Sequence, residues 1–300
     1  MLTQANFIAL EGNIRKTWDA YFHDKHDYIK DLYGMITEQD SQVTDMTYGA
    51  RGRMTPWAGS VHYSDISKGF EKTYRPGKYS DGLQVEREVW EDKSFRSLKA
   101  RVNSMAQGVD DELAYESAEI FNNAFSTAIL GADGQPLCSA SHLLVPGGTV
   151  RSNTGTNTLD YTGIETTKLA MRDLTNDKGN KMRIPMDLII AGSYWEDTLM
   201  QMFGSDKEAF TADNQINAYK NMEYYIHPLI DGKVWFGANQ GLMKGGAGLN
   251  FWMRRDPRNI ERDFTNNGSD FNTESLSWKS VGRWDKGWTN WFFLFGNNPS

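Results

Sequence analysis

Apolar residues recur at spacings of three and four through Phe7, Leu10, Ile14, Trp18 and Tyr21, which predicts an amphipathic helix over residues 6–26 despite Gly12. A shorter helical piece is predicted over 28–33. From 43 to 92 the pattern changes to glycines, prolines and short alternating runs at 61–66, 70–74 and 83–89. Ser80-Asp81-Gly82 reads as a turn between the last two runs, so the segment is expected to be a long, mostly two-stranded excursion. An isolated hairpin is marginal in water, and so large a loop is uncommon unless it binds something. The excursion therefore needs a neighbour.

The most regular stretch follows. Phe95, Leu98, Val102, Met105, Val109, Leu113, Phe121, Ala124 and Ala128 fit one helix over 95–128 with Ser94 as its N-cap. Roughly 35 helical residues span on the order of 50 Å, beyond the ~30 Å diameter of a small domain, so an elongated subunit is expected. Gly108 is the place for a bend. Beyond it, 147–158 reads as an exposed loop. Thr162 with Glu165, and Ser193 with Glu196, have capping-box spacing, and 187–191 has the apolar run of a buried strand. Residues 222–227 and 233–236, around Asp231-Gly232, predict a hairpin; 241–248 predicts a turn between strands, and strands are expected from 249 on. The alternation of helices and strands indicates an α+β class.

Composition narrows the function. Lys and Arg number 32 against 39 Asp and Glu, a net charge of -7, and no basic run forms a stripe for phosphates, which disfavours tight sequence-independent DNA binding. One cysteine cannot form an internal disulfide, so a cytoplasmic setting is the expectation. The first residues lack a secretion-signal pattern, and the apolar run at 291–295 is too short to span a bilayer, so no membrane role is expected.

Candidate chemistry is sparse. Cys138 and His142, four residues apart, offer a nucleophile with its base, two metal ligands, or a packed loop. Catalytic Cys and His are usually distant in sequence, a zinc site needs further ligands, and Asp133-Gly134-Gln135-Pro136 beside them reads as a turn, so the packed loop is favoured. His23 and His26 share helical spacing suited to a metal or to plain solvation. Asp110, Asp111, Glu112, Glu116 and Glu119 read as the hydrated side of the long helix. The glycines of 241–248 match no phosphate-binding fingerprint. Trp278, Trp284, Trp288 and Trp291 suit either a carbohydrate or nucleic-acid platform or buried structure. No catalytic residue, metal or cofactor is assigned, and no enzyme is expected.

Four motifs occur in order: MTPWAGSVHY at 54–63, the 95–128 helix running through IFNNAF, ADGQPLCSASH at 132–142, and the 222–236 segment with its Asp-Gly turn. In this arrangement the chain resembles the major capsid protein of tailed phages, the Hong Kong 97 fold, and within it the Mu-like major head subunit group. The resemblance implies an N-terminal arm (1–42), an extended β loop (43–92), a spine helix with the first part of a peripheral domain (93–183), an axial domain (184–246), and remaining axial and peripheral strands (247–300). It places Trp57, Val61, Tyr63, Phe70, Tyr74, Tyr79 and Leu83 at an assembly interface, and Phe95, Leu98, Val102, Val109, Leu113 and Phe121 along the spine.

What it implies is a structural protein assembling in the host cytoplasm as pentamers and hexamers into an icosahedral virion shell around double-stranded DNA. Scaffold, portal and decoration proteins would be its partners. An acidic wall suits enclosure of DNA without gripping it. The fused, charged, helical scaffold segment of some members is not seen. Lys68, Lys72 and Lys78 lie where some members crosslink, without implying a crosslink here. If the excursion lacks a core of its own, deleting 59–82 leaves a folded subunit that does not assemble. The alternative is a β-rich virion-attachment or carbohydrate-binding protein using the tryptophans.

Overall fold

The computed structural model describes residues 4–37, 40–63, 65–86, 95–204, 216–262 and 275–299. It is an α+β assembly of two five-stranded sheets, a two-stranded ribbon and a long helix. The N-terminal part holds α1 (Gln4–His23), α2 (Tyr28–Leu32), β1 (Gly34–Ile36), β2 (Val43–Tyr48), β3 (Lys68–Tyr74) and β4 (Gly77–Glu86). The long helix α3 (Phe95–Asn122) leads to β5 (Thr154–Gly155), α4 (Tyr161–Asp173), β6 (Leu188–Gly192) and α5 (Glu196–Phe203). The chain closes with β7 (Glu223–His227), β8 (Trp235–Ala238), α6 (Gln240–Met243), β9 (Leu249–Arg255), β10 (Ile260–Arg262), β11 (Ser275–Trp288) and β12 (Leu294–Asn297).

β11 organises the first sheet. Along one edge it pairs antiparallel with β4 from Ser275 to Trp284; its other edge takes β10 and β9, with β1 parallel beyond β9. That long edge explains why Ser80-Asp81-Gly82 is not a turn: ten successive ladder positions outweigh three residues' turn preference. The chain instead continues along β11 through Arg75-Pro76, where Arg75 N donates to Asp285 Oδ2, and β4 leaves the excursion to join the core sheet. Residues 61–63 and 65–66, expected as a strand, are irregular because no partner strand lies beside them; Val89 and Ser94 fall outside the described residues.

The second sheet runs β5-β12-β8-β6-β7. The buried run Leu188-Ile189-Ile190-Ala191-Gly192 forms its inner strand, parallel to β7 on one side and antiparallel to β8 on the other. β7 and β8 are therefore not a hairpin; a wholly apolar strand has taken both as neighbours. The loop over 147–158 is exposed as expected at Gly147, Thr149, Val150, Ser152, Thr156 and Thr158, but it is pinned at Asn153. Asn153 is buried, its amide accepts from Ser139 N at 2.9 Å and donates to Leu137 O and Leu294 O, and β5 pairs with β12. Capping also differs. Asp160, not Thr162, caps α4 by accepting from Gly163 N at 2.7 Å, and Ser193 sits in a 3-10 turn entering α5 without a capping bond. α6 occupies the start of the segment 241–248 expected as a turn, and the turn itself follows from Lys244.

α3 is unbroken through Gly108 and ends at Asn122, short of Ala128, where Ala124 O accepts from Cys138 N at 2.8 Å and draws the following loop across. Its 28 residues span about 42 Å. Leu98, Val102, Met105, Val109, Leu113 and Phe121 are buried. Phe121 meets Phe236 of the second sheet edge-on at 5.4 Å, and Tyr33, in contact with both Phe121 and Phe251, links the helix to the first sheet. One helix thus ties both sheets into one core. α1 lies against it, with Ile14 and Trp18 buried and the Trp18 indole donating to Arg258 O at 2.6 Å.

Candidate assembly surface

The β2–β3 ribbon provides a rigid base. Its register runs from Val43 opposite Tyr74 to Tyr48 opposite Lys68. Thr47 is buried, its hydroxyl accepting from Phe70 N at 2.8 Å, and a side chain at Gly69 would collide with it. Tyr74 stacks on Trp252 at 3.7 Å and hydrogen-bonds Thr289 through its hydroxyl. Lys72 lies over the rings of Tyr74 and Trp288 and donates to Leu130 O at 2.6 Å; burial pushes its pKa down. Arg75 N donates to Asp285 Oδ2.

At the far end of the ribbon, Gly49 N donates to Ser67 O, and Ala50 N donates to the buried carboxylate of Asp177 at 2.7 Å. Beyond these bonds the chain leaves the subunit. Met54 is 99% exposed, Trp57 73% and Tyr63 87%, with Val61 also exposed. Isolated exposed apolar residues are ordinary, but four on one loop with an anchored base form a surface that gains by being covered. Arg51 and Arg53 precede it and gather with Lys181 and Arg183 around a hollow. The sequence had suggested no role for those four cations, because they are scattered along the chain.

The other expected interface residues are placed differently. Phe70 is half-buried, while Tyr74, 1% exposed, and Leu83 are already covered by their own subunit. Tyr79 stacks on Trp284 at 4.2 Å with its ring partly open, and its hydroxyl is pushed up to about 12 by burial and by Glu116. The spine residues Leu98, Val102, Val109, Leu113 and Phe121 face inward; the Phe95 side chain is outside the described residues. Because β4 is part of the first sheet, deleting 59–82 would remove a core strand as well as the loop.

Cys138 and His142 are both buried. The thiol is pushed well up by burial, and Gly296 packs on its sulfur with no room for a Cβ. The His142 ring donates through Nδ1 to Asp133 Oδ2 at 2.6 Å, faces Leu137 O through Nε2, and stacks on Trp291 at 4.4 Å. This is a packed loop whose turn residue Asp133 orients the histidine. Trp278, Trp284, Trp288 and Trp291 are all buried, so they form no exposed platform. His23 pairs with Asp24 while His26 pairs with Asp31, and no cluster of three metal-ligating side chains occurs among the described residues. On α3, Lys286 holds Glu116 and Glu119, and Lys25 faces Asp110.

A family model described as phage capsid protein matches residues 70–294. No curated protein matches the chain. Among solved structures it is similar to the procapsid of bacteriophage JBD30, at 13% identity and a TM-score of 0.53, over 100% of this chain and 77% of that one. It is also similar to a virus-like particle from Pyrococcus furiosus (7% identity, TM-score 0.56, 95% and 98% of the two chains). A third likeness is to the capsid of Myoviridae phage XM1 (7%, 0.51, 93% and 94%). At these identities the likeness is one of fold.

Proposed function

The chain belongs to the phage capsid protein family as a structural major capsid protein of the Hong Kong 97 fold, and we propose that its copies close an icosahedral shell of pentamers and hexamers around double-stranded phage DNA. The virion capsid is its place; assembly in the host cytoplasm with scaffold, portal and decoration proteins belongs to the proposal, as does membership of the Mu-like head subunit group. The observation that carries it is the loop from 51 to 66. A subunit that buries Trp278, Trp284, Trp288 and Trp291 nevertheless projects Met54, Trp57, Val61 and Tyr63 from a fixed base. Laid across a second copy, those side chains leave water and the loop gains a partner surface.

Residues 1–42 act as an arm seated partly on α3, and the extended loop proper is 43–74. β4 joins the peripheral sheet with α3 and β11, and the second sheet supplies the axial part. The net charge of -7 keeps the wall from gripping DNA.

The test is to produce the chain with its scaffold and image the product, beside a variant in which 52–63 is replaced by a short Gly-Ser linker. Closed shells are expected from the parent. From the variant, a subunit of unchanged thermal midpoint that stays unassembled is expected. Shells from the loop-less variant, or none from the parent, would refute the reading.

A further inference from the structure

Between the middle of α3 and the β4–β11 pair lies a recess of about 220 Å³ that includes Tyr79, Val109, Pro257 and Trp284 in its wall, together with Asp81 and Glu112. Gly108 keeps the helix backbone open there; a Cβ on it would meet only Asp81, at 4.0 Å. The aromatic wall is rigid, since the Tyr79 and Trp284 rings stack within 2° of parallel, and Gly282 leaves the space the Trp284 ring occupies.

Two carboxylates line this recess, those of Asp81 and Glu112. Both residues are exposed, Asp81 Oδ1 accepts from Gly82 N, and neither has an ion pair among the described residues, while Lys286 is committed to Glu116 and Glu119. The Glu112 carboxyl is raised by burial and by the charge of Glu116, so the acidic side is under-compensated.

An apolar aromatic wall beside two carboxylates suits one ligand chemistry. A guanidinium on its methylene stem can lie against the rings and bond both carboxylates. Arg51 and Arg53 are exposed, crowd with Lys181 and Arg183, and have no ion pair among the described residues. One face of the subunit therefore has a surplus of arginine and another a vacancy for it.

Resting on the shell reading above, we propose that this recess receives an arginine of the 51–53 segment from a second copy, with its guanidinium between Asp81 and Glu112 and its stem against Tyr79 and Trp284. The two surfaces differ, so the contact is heterologous and repeats from copy to copy, closing rings when the rotation allows. It sets the register of the loop, and Trp57, four residues beyond Arg53, supplies apolar area next to it.

The experiment compares the parent, Asp81→Arg/Glu112→Arg, Arg51→Glu/Arg53→Glu, and all four changes combined. The critical concentration for shells is read by sedimentation and microscopy, and the thermal midpoint of the unassembled subunit by circular dichroism. Like charges brought together should raise the critical concentration about tenfold or more in each doublet, and the combined chain should recover most of that loss. Should the reversed recess fail to fold, Asp81→Asn/Glu112→Gln is expected to give a several-fold rise with an intact fold. Normal assembly of either doublet, or no recovery in a folded combined chain, overturns this contact. A parent that forms no shells would instead overturn the shell reading on which it rests, an outcome readable before any variant is made.

Discussion

His227 is buried with each ring nitrogen in a defined role. Leu229 N donates to Nδ1 at 3.1 Å, and Nε2 donates to Ser117 Oγ, whose hydroxyl donates to Ala114 O. Protonation would set two donors face to face at Nδ1, and burial, helped by the charge of His26, lowers its pKa from 6.5 to about 4. Between those values the unfolded chain binds the proton and the folded chain does not, so stability falls as pH drops from about 6.5 toward 4. The loss approaches about 3 kcal/mol for the full shift. Urea unfolding of the unassembled subunit at pH 7 and at pH 4.5 should show this fall, with a shallower one in His227→Gln. Equal pH dependence in both chains would contradict the assignment. Nothing in the sequence singled out His227, because its partners come from α3 and from the turn after β7.

Among the elements, β4 departs furthest from its local sequence. Ser80-Asp81-Gly82 carries turn chemistry, yet Gly82 sits opposite Lys279 in an unbroken ladder. A Cβ at Gly82 would meet only Trp278 O at 3.5 Å, an ordinary contact. Gly82→Val is therefore expected to keep or raise the thermal midpoint, since glycine inside a strand costs about 0.5–1 kcal/mol. In a turn the same change would be destabilising, so a clear fall in the midpoint would argue against the continuous strand. α3 is the opposite case: its 3.6-residue pattern was readable from Leu98 to Phe121, and its inward face is the one the apolar positions mark. Only its end was overestimated, where tertiary bonds to the Cys138 loop replace helical ones.

At the scale of the molecule, the fold divides into a self-satisfied body and one loop held out from it. Loop tips are where free subunits are nicked first, and burial of the backbone decides which sites are spared. Trypsin is therefore expected to cut the unassembled subunit first at Arg51 or Arg53 and to leave those bonds intact in assembled shells. First cleavage within α3 or β11 would contradict this division. The sequence by itself determined the helical stripes, the apolar run at 187–191, the acidic balance and the motif order resembling a capsid subunit, because periodicity and composition are local properties. Which residues of the excursion stay outside was decided only by the tertiary structure. An edge of β11 was available for β4, as Trp252 was for Tyr74, whereas the stretch through Trp57 and Tyr63 lies uncovered by the described residues of its own chain. Strand pairing and ring stacking join residues some 200 positions apart, and no local pattern records that an edge or a ring face will be free at that distance.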